Sequence, residues 1–140
     1  MTRTTRDASL DLAARYLRAM DEARFDAVHA LLSDGAVHEV PFAPESLGRR
    51  HEGREQIVAL YAQAADMLVN TRVENLSIDT LAETPTTVVC RYDFDATLSS
   101  DGVSFRSAYV LFLHVRDGLI ERVVELFDPA PLQAALSGPS

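Results

Sequence analysis

The sequence predicts an α+β fold, in which helices come first and cover one face of a curved antiparallel sheet that comes last. Two observations carry this. Apolar residues recur at helical spacing in the first half, and the segment 86–129 contains two Asp-Gly pairs, each set between β-branched or alternating apolar runs. Asp-Gly in that setting is the strongest short-range hairpin signal, so 86–129 reads as three strands joined by two tight turns.

Taken in order, Asp7 or Ser9 can cap a first helix that runs to about Asp21, with Leu10, Ala13, Leu17 and Met20 as its apolar stripe and Tyr16 beside it. A second, short helix fits 24–33, with Gly35 as a left-handed cap. Residues 36–40 read as a strand stopped by Pro41, and 41–53 as a loop holding the basic cluster Arg49-Arg50-His51. A third helix fits 54–68, where Ile57, Leu60, Tyr61 and Ala64 share a face. Residues 71–82 alternate loosely, as a bulged strand would, and Pro85 ends them before the two hairpins. A last turn of helix over 131–136 closes the fold, and the ends, 1–8 and 137–140, are expected to fray.

At 140 residues the chain is expected to be a single domain, 1–140, with room for a sizeable core. The formal charge of −8 argues against nucleic acid or an anionic membrane as partner. All thirteen basic side chains are Arg, which excludes a Schiff-base lysine and a phosphate loop of the Walker type. One cysteine, Cys90, permits no intramolecular disulfide, and no apolar run reaches membrane-spanning length. A cytoplasmic location is the expectation. The histidines His29, His38, His51 and His114 lack ligand spacing, so no metal and no cofactor are expected.

The chemistry concentrates in the sheet. Glu125 interrupts the apolar run Val123-Val124-Leu126-Phe127, and Arg91, Asp93 and Asp95 alternate with Tyr92 and Phe94. A carboxyl buried among apolar side chains has its pKa raised by up to ~3–5 units, which suits an acid or base working near neutrality. Turn length decides which residues share a face. A two-residue Asp101-Gly102 turn sets Asp93 opposite Val110, and a three-residue loop sets it opposite Tyr109. Glu125 faces Val110 or Tyr109 by the same choice. If both turns are of one type, Asp93 and Glu125 share a face. If the turns differ, they point to opposite faces, and Arg91, Asp93 and Asp95 form a solvated surface.

Several strings carry a resemblance. ARYLRAMDEARFDAVHALLSDGAVHEVPF and HEGREQI resemble the opening of ketosteroid isomerases, and RDGLIERVVELFDP resembles the end of SnoaL-like polyketide cyclases. The chain is thereby identified as a member of the nuclear-transport-factor-2-like superfamily over about 10–131. That implies a cone-shaped sheet with three N-terminal helices packed on its concave face, in the order αα-β-α-ββββ. Tyr16 matches the first-helix tyrosine that donates a hydrogen bond in the isomerases. The isomerase base falls on Val40 and its protonated oxyanion-hole Asp on Leu111, so that family's own mechanism is not implied. Arg91-Tyr92-Asp93 with Glu125 resembles the water-holding set of limonene-type epoxide hydrolases, although the last acid is Glu and the supporting Tyr-x-Asn falls on 37–39.

The expectation is therefore a cofactor-independent enzyme of isomerase, cyclase or dehydratase type, acting on a lipophilic, polyketide- or terpenoid-like molecule. Its candidate catalytic residues are Glu125, Asp93, Tyr16, His38 and Arg91. Phe42, Tyr61, Tyr109, Leu111, Val123 and Phe127 are candidate lining. Two alternatives stand beside it: an epoxide hydrolase using Arg91, Asp93 and Glu125, and a non-catalytic ligand-binding module. A homodimer formed through the outer sheet face is also expected, because apolar side chains fall on both faces of the middle strand.

Overall fold

The computed structural model describes residues 4–137. Helix α1, Thr5–Asp21, is capped by Thr4, whose hydroxyl accepts from the Asp7 backbone N–H at 3.0 Å. The first turn is thus ordered from Thr5 on, and only 1–3 and 138–140 of the ends expected to fray lie outside the described residues. Its buried stripe is Ser9, Leu12, Ala13, Tyr16 and Ala19. That stripe is turned from the one expected, with Leu10, Leu17 and Met20 at its flank and Tyr16 at its centre.

Helix α2, Phe25–Leu31, passes directly into strand β1, Leu32–Glu39, with Leu32 already extended. Gly35 is therefore a strand residue and not a helix cap. The loop that follows contains a 3₁₀ turn, Glu45–Leu47, and a short strand β2, Arg50–Glu52. Gly53 at φ 88° then admits helix α3, Arg54–Met67, which buries Ile57 and Tyr61. Strands β3, Leu68–Thr80, β4, Thr87–Leu98, β5, Ser104–Arg116, and β6, Leu119–Phe127, complete the sheet, and α4, Ala130–Leu136, ends the described fold.

The six strands run in the order β2-β1-β6-β5-β4-β3. Every neighbouring pair is antiparallel except β1 and β6, which are parallel. The mixed sheet corrects the wholly antiparallel expectation: β1 is separated from the final hairpins by a loop, β2, α3 and β3, and it joins β6 side by side in the same direction. The described residues contain four α-helices, against three plus a final turn expected.

The two turns differ in length but both hold an even number of residues, so a bulge after the second decides which side chains face inward. Between β4 and β5 the turn has four residues, 99–102: the Leu98 N–H donates to Val103 at 2.8 Å, and Gly102 sits at φ 75°. Asp93 then lies opposite Ala108, a register that neither expected turn length supplies. Between β5 and β6 the turn is the two-residue Asp117-Gly118, with φ of 51° and 76°. A bulge on β6, where Val115 pairs with Ile120 but His114 with Arg122, then moves Glu125 opposite Leu111.

The concave face thus carries Val88, Cys90, Tyr92, Phe94 and Ala96 from β4, Phe105, Ser107, Tyr109, Leu111 and Leu113 from β5, and Val123, Glu125 and Phe127 from β6. The main core sits where α1, α2 and α3 cover this face, around Tyr16, Val28, Leu32, Ile57, Val88, Leu113 and Ile120. Smaller clusters, Ala96-Leu98-Phe105-Ala135 under α4 and Val40-Ala43-Phe127 under the β1–β2 loop, close the other end.

Candidate functional site

Between the main core and those end clusters, the concave face holds polar groups where a plain core would be apolar. Tyr92, Tyr109 and Glu125 keep part of their surface accessible although helices cover them, and desolvation dominates the acidity of all three. These three side chains, desolvated yet partly accessible, mark a polar patch on the concave face.

Glu125 is its only carboxyl. Burial alone pushes it up to about 7, and no hydrogen bond or ion pair joins it to another of the described residues. In the sheet it stands beside Leu111, and Glu39 pairs with Val124, which brings Val40 next in line. The single acid therefore falls between the two positions where the isomerases carry theirs.

All four tyrosines of the chain gather around it. Tyr16 from α1 and Tyr61 from α3 join hydroxyl to hydroxyl at 2.5 Å. With Tyr61 as the donor, the buried Tyr16 hydroxyl keeps its own proton for a second acceptor. Tyr92 and Tyr109 face each other across β4 and β5, with rings parallel within 3° and 5.4 Å apart, and Phe127 continues the stack at 5.0 Å. Burial, with the Glu125 charge as a further cause, holds all four phenols above their ordinary range, so each stays protonated as a hydrogen-bond donor.

His38 points to the same face from β1, where the sequence left open whether it or Glu39 would. It is only 2% exposed, packs edge-on against Tyr61 at 5.3 Å and lies opposite His51 on β2. Neither ring nitrogen has a hydrogen-bond partner among the described residues. Burial, then the neighbouring His51, lowers its pKa to about 4, so the imidazole is neutral.

Arg91 and Asp93 are not in this site. They project from the outer face, in a surface depression with Asn75 and Ser77. Asp93 accepts from Asn75 at 2.8 Å and from Arg106 at 3.3 Å, and Arg106 also pairs with Asp95 at 2.7 Å. The bulge on β6 causes this: both turns hold an even number of residues and would leave Asp93 and Glu125 on one face. The extra residue moves Glu125 to the other, which dismantles the Arg91-Asp93-Glu125 arrangement that an epoxide hydrolase of the limonene type would need. Phe42 is corrected as well: it is 57% exposed on the β1–β2 loop. Leu111 and Val123 are buried in the sheet beside Glu125, whereas Tyr61, Tyr109 and Phe127 lie on the concave side. The loop arginines are already engaged, Arg49 by the Ala43 carbonyl and Glu45, Arg50 by Glu39 and Glu52. Tyr92 is the residue sequence reasoning passed over, although its alternation with Arg91 and Asp93 made it the inward member once they faced out. Among the described residues no group of three or more His, Cys, Asp or Glu side chains could hold a metal ion.

Residues 13–123 match the SnoaL-like domain. The chain belongs to that family. The match contains Tyr16, His38, Tyr61, Tyr92 and Tyr109 and stops two residues short of Glu125. Among curated proteins, the uncharacterized protein YesE of Bacillus subtilis is 26% identical over 110 residues, covering 77% of this chain and 73% of that one. Among solved structures, a candidate isomerase from Bacillus subtilis superposes with a TM-score of 0.86 at 21% identity over 98% of both chains. A candidate polyketide cyclase from Xanthomonas campestris gives 0.78 at 20% identity, covering 96% of this chain and 98% of the other. A Catenulispora acidiphila protein of ketosteroid isomerase-like fold, in complex with trimethylamine, gives 0.75 at 16%, over 91% and 93%. At such identities these likenesses establish the nuclear-transport-factor-2-like cone and nothing of the reaction.

Proposed function

We propose that this protein is a cofactor-independent acid–base enzyme of isomerase or cyclase type, acting on an uncharged, lipophilic small molecule. One observation carries the reading: a lone carboxyl, raised by burial to about 7, stands on the concave face among four tyrosines with no cation of the described residues paired to it. The reading places the substrate hollow there. As carboxylate, Glu125 removes a proton from carbon next to a carbonyl, and the electron pair moves onto the carbonyl oxygen. Tyr16, its hydroxyl oriented by Tyr61, donates a hydrogen bond to that developing oxyanion. Glu125, now protonated, returns the proton to a different carbon, which is an isomerisation. If the enolate carbon first attacks a second carbonyl of the same molecule, Glu125 protonates the new alkoxide, which is a cyclisation.

The lining supports an uncharged substrate, since the hollow offers no cation to an anion and the arginines of the β1–β2 loop are paired. The test is proton exchange in deuterium oxide with a panel of 1,3-dicarbonyl and β,γ-unsaturated ketones, read by NMR. Deuterium uptake that disappears in Glu125→Gln is the expected result. Uptake that survives the substitution overturns the assignment, and ligands that bind without any exchange make the protein a binding module.

A further inference from the structure

Two of the four phenols have no work in that mechanism. Tyr16 and Tyr61 satisfy each other, but the hydroxyls of Tyr92 and Tyr109 have no hydrogen-bond partner among the described residues. A phenol inside a protein ordinarily finds a partner, because its O–H loses water on burial. These two keep accessible surface instead and stand on the concave face, where the acid–base reading places the hollow; Tyr92 also borders the outer depression beside Arg91 and Asp93.

Their geometry is fixed. The rings stand directly opposite in the β4–β5 register, Phe127 packs flat on the far side of Tyr109, and Phe94 closes against it edge-on at 5.6 Å and 77°. The two parallel rings rise from opposed positions on one face with their centroids 5.4 Å apart. Along the strands this row follows the Leu111–Glu125 row, and two residues of strand span about 7 Å. Tyr16 and Tyr61 approach from the helices, on the other side of the hollow from the sheet.

We infer that Tyr92 and Tyr109 form a second oxygen-binding station, and that the substrate carries two oxygen functions, one held by Tyr16 and the other by this pair, on either side of the carbon that Glu125 serves. The inference rests on the acid–base reading for the placement of that carbon. The station itself is a matter of binding. It selects against molecules with a single oxygen, because they leave the two hydroxyls unpaired or force water to stay with them.

The test compares 2-naphthol, with one hydroxyl, against 2,6- and 2,7-dihydroxynaphthalene by calorimetry. Native protein is expected to bind at least one diol ~10-fold more tightly than 2-naphthol, the worth of one or two hydrogen bonds. In Tyr92→Phe/Tyr109→Phe, which keeps the ring stack, that preference should vanish while 2-naphthol binding changes less than ~2-fold. The four tyrosines are the whole tyrosine content, so protein labelled with ¹³C at the phenol carbon gives four signals. The Tyr92 and Tyr109 signals should move with the diol and stay with 2-naphthol. Equal affinity for all probes, a preference that survives in the double variant, or no binding of either diol at millimolar concentration overturns the station. Glu125→Gln should retain the diol preference, so a failed exchange experiment and a failed binding experiment point to different errors.

Discussion

Glu125 holds its proton because the fold makes ionisation costly, and the cost is measurable. Its folded pKa of about 7 lies above the ordinary 4.5. Below 4.5 it is protonated whether folded or not and changes nothing. As pH rises from 4.5 through 7 the folded state must ionise a buried group, and stability falls by about 2–3 kcal/mol. Glu125→Gln should therefore match native protein in denaturant unfolding at pH 4 and exceed it by that amount at pH 8, while losing turnover by ~100-fold or more. His38 has the opposite sign. Its folded value of about 4 lies below 6.5. Its contribution is intact above pH 6.5 and is lost, by about 3 kcal/mol, as pH falls to 4. In His38→Phe that acid-side loss should disappear, so denaturant unfolding between pH 6.5 and 4.5 should follow the Glu125 titration alone and show stability rising as pH falls. Tyr61→Phe removes one buried hydrogen bond and should cost about 1 kcal/mol, with the larger effect on kcat if Tyr61 orients Tyr16.

At the scale of elements, a turn and a bulge govern the site. Asp117 and Gly118 both adopt positive φ, the two-residue geometry that Asp-Gly favours, so the turn's place was legible in the sequence and its length was one of the two left open. Nothing lies within 4 Å of where a Gly118 β-carbon would sit. Gly118→Ala therefore meets only backbone strain and should cost about 1 kcal/mol, read as a fall in melting temperature of a few degrees. The bulge after that turn was not legible. One extra residue on β6 changes which face Glu125 occupies, and no local preference marks it, because the gain comes from burying Val123 and Phe127 against the helices and the end clusters. On β3, Asn70 and Asn75 take left-handed conformations at the two register shifts. A bulge there was expected, and Asn is the residue type, after glycine, that tolerates such geometry.

For the whole molecule, the opposed titrations of Glu125 and His38 overlap. Between pH 6.5 and 4.5 one gains what the other loses, so the native protein should show a flatter stability profile than either single variant. The helices all pack on the concave side of the sheet, which leaves Val89, Val110, Phe112, Val124 and Leu126 as an apolar patch on the outer face. Charged groups border it, including Arg106 with Asp93 and Asp95, and Arg122 with Glu39. We propose that a second copy covers this patch, and light scattering at micromolar concentration should give twice the 15.4 kDa of one chain. A monomer at that concentration overturns the pairing.

By itself the sequence determined the α+β architecture, the order of every helix and strand but the short β2, the two hairpins and the candidacy of Glu125 and His38, while Tyr16 became a candidate through resemblance to the isomerases. The elements and turns rest on spacing or turn chemistry that acts over a few residues. Only the tertiary structure decided that Arg91 and Asp93 face outward, that Tyr92 faces inward, and that four tyrosines far apart in the chain converge on one acid. A strand's inward face depends on its register against its neighbours. Register is set by the burial of the whole sheet against the helices, a sum over distant residues that no local pattern contains.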